Sequence, residues 1–262
     1  EIIIYIMTFF MVLGALDRIF GNKFKIGEQF EEGIIAMGSL ALSMVGIIAL
    51  APVLADVLLP IVGPVFKALG ADPSVFATSL LALDMGGYPL AQVLAETPEA
   101  AQFSGVIIGS MMGPTIVFSI PVALGIISKE DHPYLAKGIL AGMVTIPIGC
   151  LVGGLVAGFE PMMVIKNLIP IIIFSIILAV GLLFAPETMI KIFDWFGKLV
   201  TAVITVGLAA GIVETLTGLV IIPGMGSLEE GFSTVGNIAI VLAGAYVLVF
   251  FITKFFSKPL MK

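Results

Sequence analysis

The sequence predicts an all-α integral membrane protein of about eight transmembrane or re-entrant helices, on three observations. First, 60% of the 262 residues are hydrophobic and only 11% are charged, against roughly 25% charge in a soluble domain. Second, apolar runs of about 18 residues or more recur, each long enough at ~1.5 Å per residue to cross a hydrocarbon layer about 30 Å thick. Third, stretches such as Leu168 to Phe184 are apolar on every side. A membrane strand would instead alternate with period two and turn polar residues toward a lumen.

Apolar windows fall near residues 2–20, 33–58, 75–95, 104–127, 137–158, 163–185, 198–223 and 235–257. The first begins at Ile2 without the basic start or small-residue cleavage site of a signal peptide, so it reads as a span. The second follows Gln29-Phe30-Glu31-Glu32-Gly33, where acids complement the positive end of a helix; Glu31 and Glu32 are also candidates for guarding a cation entrance.

The third window carries Asp84-Met85-Gly86-Gly87-Tyr88-Pro89 near its middle, and Gly86, Gly87 and Pro89 predict a helix break. The fourth, Gly109 to Pro121, holds Gly113, Pro114 and Pro121, and each proline removes an amide donor and displaces the carbonyl four residues back. The fifth repeats that design in Thr145-Ile146-Pro147-Ile148-Gly149, so windows four and five are expected to form a facing pair of discontinuous or re-entrant helices. Gly142, Gly149, Gly153 and Gly154 predict close helix packing.

Windows six to eight repeat the order of windows one to three: a long helix, a glycine-containing helix (Gly197 to Pro223), then Gly244-Ala245-Tyr246 beside the earlier Gly87-Tyr88. An offset of five spans reverses the direction of entry, the inverted arrangement of many secondary transporters. The expectation is a single transport domain over 1–262, with one repeat at 1–158 and a partial second at 163–262. The complete fold would be five plus five, with the last two segments absent from this chain. Chance similarity among apolar helices remains the alternative. Counting Lys and Arg by side, with every window a crossing, puts eight against four in favour of the side where the chain begins. A segment that enters without crossing would invert everything after it.

Asp84 is the leading candidate for chemistry. A carboxylate at mid-membrane depth costs at least roughly 2.5–3.5 kcal/mol, so it needs a partner, a proton or a water-filled cavity. Carbonyls freed by the glycines and proline after it also suit a cation. Ser110, Thr115, Ser119 and Thr145 are candidate polar groups lining the same cavity, and the competing reading is that each bonds back to its own helix. Asp56 and Glu214 lie nearer the ends of their windows and rank below Asp84.

The net charge of −6 without a basic cluster gives no reason to expect a nucleic-acid partner. No P-loop, HExxH zinc site or G-x-S-x-G elbow is present, which argues against an enzyme, and no metal or cofactor is expected. Cys150 stands alone. Membrane lipid is an expected partner, and a homo-oligomer is left open.

Several of these stretches resemble the bacterial ethanolamine permease family: Gln29 to Gly33, Ala51-Pro52-Val53-Leu54-Ala55, Asp84-Met85-Gly86-Gly87, Gly109 to Ile127, Thr145 to Cys150 and Lys258-Pro259-Leu260-Met261. The run from Gly109 to Ile127 is the most specific, and the resemblance covers nearly the whole chain. It implies uptake of ethanolamine across the bacterial cytoplasmic membrane by a multi-pass protein, with further membrane segments after Lys258-Pro259-Leu260-Met261. Ethanolamine is a primary ammonium with a hydroxyl, so its site needs an anion or carbonyl dipoles and a hydroxyl partner. Asp84 is expected to receive the ammonium, Ser110, Thr115, Ser119 and Thr145 to line the cavity, and Tyr88 to limit its size, with one repeat moving against the other. A cation-coupled antiporter and a non-transporting membrane scaffold are the alternatives.

Overall fold

The computed structural model describes residues 2–119 and 129–260, and among these every regular element is helical. Six helices are long and apolar enough to cross a membrane: α1 (Ile2–Ile19), α2 (Ile26–Ala68), α7 (His132–Val156), α8 (Pro161–Phe184), α9 (Pro186–Thr217) and α10 (Leu228–Leu260). The chain is a multi-pass membrane protein. Two of the eight expected spans take other forms.

The third window is a hairpin. Helix α3 (Ser74–Leu80) stops at extended Leu81, a short 3-10 turn follows at Leu83–Met85, and α4 (Gly87–Leu94) leads back. Both ends are tied to one side chain: Asp72 Oδ1 accepts the Ser74 amide at 2.9 Å and Oδ2 accepts the Glu96 amide at 2.9 Å. A segment whose two ends share a carboxylate does not cross. At ~1.5 Å per residue, each arm reaches roughly 10 Å, well short of the hydrocarbon thickness.

The fourth window opens with α5 (Pro98–Gln102), passes through a π-helical stretch (Phe103–Ile108) into α6 (Gly109–Pro114), and continues as a π-helical turn (Thr115–Ser119). Wider π turns rearrange the backbone bonds that Pro114 disrupts, so the segment bends its hydrogen bonding instead of separating. Pro121, expected as a further break, lies outside the described residues.

Two expected breaks are corrected. Helix α7 runs through Pro147 without interruption, because one missing amide bond is tolerated inside a long, packed helix. Gly113 likewise sits within α6. Of windows three, four and five, each expected to be broken, three and four carry irregular backbone among the described residues and five does not.

The contacts divide the chain into two units, residues 1–45 with 229–262, and residues 46–228. In the first, α1, the start of α2 and α10 meet through glycines. A Cβ on Gly33 would lie 2.7 Å from the Ala243 backbone, one on Gly14 would lie 2.8 Å from Val247, and the Phe10 and Phe251 rings are 5.2 Å apart. Asp17 closes the α1–α2 link by accepting the amides of Phe24, Ile26 and Gly27 at 3.0–3.1 Å. The Gly244 region, expected to echo Gly87-Tyr88, lies in the uninterrupted α10.

In the second unit, one apolar core joins Phe103, Ile108, Met112 and Ile116 to Met143, Cys150, Val164 and Ile171. Of the four glycines expected to pack, Gly149, Gly153 and Gly154 do so, against Met111, Ile107 and Phe103. Gly142 faces open space. These contacts run α7 antiparallel to the Phe103–Pro114 stretch.

Candidate functional site

The hairpin base is a polar knot. Pro73 fixes the backbone before α3, Asp72 caps the helix, and the Asp72 amide donates to Asn167 Oδ1 of α8 at 2.7 Å. Just inside, the buried hydroxyls of Ser74 and Ser104 lie 2.8 Å apart, and Ser104 donates to the Ala100 carbonyl at 2.7 Å. The hairpin is thereby fastened to α5 and α8.

The tip is built from a glycine that no other residue replaces easily. Gly86 has φ +89°, and a Cβ there would also strike Ile47 of α2. The Ala82 carbonyl accepts the amides of Met85 at 3.0 Å and Gly87 at 2.9 Å, closing the turn. Pro89 is the third residue of α4, where an amide would have no helical acceptor, so it starts the helix rather than breaking it.

Asp84 stands on this turn, exposed, with no hydrogen bond or ion pair to any described residue. Its neighbour Met85 lines a cleft of about 470 Å³ with Phe193, Asp194, Gly197, Lys198 and Thr201 of α9. The cleft is mostly apolar, with Asp194 and Lys198 on its wall, and an unpaired acid beside it is suited to attract a cation.

Glycines hold the tip against the neighbouring helix. Gly105 leaves room for the Tyr88 ring and Gly113 for the Leu81 carbonyl and the Ala82 amide, both too close for a Cβ, and Gly109 sits tightly against Leu83 and Thr78. This is why Gly113 is small: it allows backbone contact at the hairpin break instead of making a break itself.

Three of the expected hydroxyls bond back to their own helices. Ser110 donates to Ile107 at 3.0 Å, Thr115 to Met111 at 2.7 Å and Thr145 to Gly142 at 2.7 Å. Ser110, Ser119 and Thr145 are exposed, and Thr115 is half-buried. Ser110 adjoins Gly109, which packs on Leu83, so it is near Asp84 along the two backbones; among the described residues no hydrogen bond joins Thr145 or Ser119 to the tip. Glu31 pairs with Arg18 at 3.3 Å in the first unit, and Glu32 is exposed nearby. Tyr88 lines a different cleft, described below.

A family model described as ethanolamine utilisation protein, EutH, matches residues 1–262. The chain belongs to the EutH family. It is 66% identical over 262 residues to a probable ethanolamine permease EutH of Listeria monocytogenes, covering 100% of this chain and 70% of that protein. A probable ethanolamine permease EutH of Escherichia coli is 50% identical over 299 residues, covering 100% of this chain and 73% of the relative. A Bacillus subtilis relative, the uncharacterized protein YxeR, is 55% identical over 260 residues, covering 99% of this chain and 70% of its own length. No solved structure matches.

For this EutH-family chain, the sequence signals that sequence reasoning passed over are short and local. Asp72-Pro73-Ser74 is an acid placed two residues before a helix, a capping signal. Asp194 and Lys198 are an i,i+4 pair at 2.6 Å that marks a wet face of α9. Gly105, Gly109 and Gly113 recur every four residues, a close-packing signal.

Proposed function

We propose that this chain carries ethanolamine inward across the bacterial cytoplasmic membrane by alternating access, with the ammonium received at Asp84 on the hairpin tip. The observation that supports this is an exposed, unpaired carboxylate on a turn in a membrane-resident hairpin, beside the cleft that Met85 shares with α9. The names of the EutH relatives supply the substrate. Ser110 is the nearest of the predicted hydroxyls to offer a partner for the alcohol once it rotates away from Ile107, and Thr115 and Ser119 act further along the path, while Thr145 stays bonded to its own helix. Glu31 and Glu32 serve an entrance in the first unit. Transport follows from the hairpin changing its seat on the glycine row while the Asp72 knot keeps its base in place.

Asp84→Asn keeps the shape and removes the charge, and it abolishes saturable uptake of labelled ethanolamine in proteoliposomes without loss of membrane expression. Wild-type uptake by that variant removes Asp84 from the mechanism. Running the assay with and without H⁺ and Na⁺ gradients separates simple uptake from a coupled exchange.

A further inference from the structure

Around the hairpin base lie two clefts divided by the Glu96-Thr97 link. One, of about 390 Å³, is lined by Lys67, Asp72, Glu160, Lys166 and Asn167. The other, of about 330 Å³, is lined by Tyr88, Gln92, Glu96 and Gln102 with Ala95 and Pro98. Glu96 borders both, and its carboxylate is paired with Lys67 Nζ at 2.7 Å.

We propose that the cleft of Tyr88, Gln92, Glu96 and Gln102 is an entry subsite for the primary ammonium substrate on the non-cytoplasmic face, with Lys67 as the resting counter-ion that the substrate replaces on Glu96. This rests on the transport reading above. Lys67 ends in the same group as an amino alcohol, a primary ammonium on a methylene, so the pair already shows the carboxylate holding that group. Both partners are half-exposed, 61% and 50%, and an exposed pair of this kind contributes only about 0–1 kcal/mol, so exchange is cheap. Tyr88 lines the same cleft, and an aromatic ring there attracts a cation. Gln92 stands one turn beyond Tyr88 on α4, and neither Gln92 nor Gln102 has a hydrogen-bond partner among the described residues, leaving amides for a hydroxyl.

The face follows from the order of crossings along the sequence. In the second unit Lys67 and Lys166 line the cleft at the hairpin base, and α7 runs antiparallel to the Phe103–Pro114 stretch, so its start lies at the far end from that base. Lys129 and Lys137 at the start of α7, and Lys191 and Lys198, reached after α8 crosses away from Lys166, fall at the opposite end of this unit. Cytoplasmic loops are enriched in Lys and Arg, so the hairpin base faces outward. The earlier count of eight against four treated the hairpin as a crossing.

The test uses Gln92→Cys in a Cys150→Ala background, with Gln102→Cys as a second reporter on the opposite wall. A membrane-impermeant maleimide labels both in intact cells, and ethanolamine slows the labelling while ethylene glycol, which lacks the ammonium, does not. Glu96→Gln raises KM for uptake about tenfold with kcat retained, whereas Lys67→Ala does not raise KM. Labelling that requires permeabilised cells, or that ethanolamine leaves unchanged, overturns the subsite. The same labelling in Asp84→Asn separates the two readings: protection that persists while uptake is lost supports both, and lost protection beside normal wild-type uptake overturns only the subsite.

Discussion

Asp72 Oδ2 accepts the amide of Glu96 at 2.9 Å across 24 positions of chain, and Oδ1 of the same carboxylate accepts the amide of Ser74. One side chain therefore holds the way into the hairpin and the way out of it. Everything between, including Asp84, is presented on a loop of helix whose depth is set by the length of two short arms.

Asp72→Ala leaves the Ser74 and Glu96 amides without their acceptor. A donor deprived of its partner costs about 1–3 kcal/mol, less where water reaches it. Lower thermal stability in detergent and reduced uptake are expected, with Asp72→Asn intermediate because one oxygen remains. An unchanged melting curve for Asp72→Ala would show that the base is held by packing alone.

Gly113→Ala drives a methyl into the Leu81 carbonyl and Ala82 amide, both backbone, which cannot rotate away. Overpacking of this kind costs about 1–3 kcal/mol. Gly142→Ala is the control: nothing lies within 4 Å of its Cβ, and a helical alanine is favoured over glycine by about 0.5–1 kcal/mol. Detergent melting should fall for the first and hold or rise for the second.

Pro147→Ala should leave uptake intact and hold or raise stability, since α7 is already continuous there and alanine restores an amide donor. Loss of transport with normal expression would mean that the proline acts as a hinge during the cycle.

Ser110→Ala and Thr145→Val separate lining from local bonding. Thr145 donates to its own helix, so KM should change by less than about twofold. Ser110 lies beside the Leu83–Gly109 contact, and its loss should raise KM without lowering kcat. Equal effects from the two would place the substrate path along α7 as well.

Membrane residence, helical class and family were legible in the sequence, because hydrophobic length and charge depletion are properties of the chain itself. The irregular backbone at Asp84-Met85-Gly86-Gly87 was legible for the same reason: Gly86 occupies a positive φ that other residues adopt only under strain. Whether that segment crosses was decided only by tertiary structure. Hydropathy sums residues over a window of about 19, and a hairpin of two short apolar arms gives the same sum as one span. The deciding bonds join Asp72 to Glu96, positions that no local pattern links. Gly113 and Pro147 show the same limit, since a glycine that admits a neighbouring carbonyl and a proline that a packed helix absorbs look in sequence like breaks.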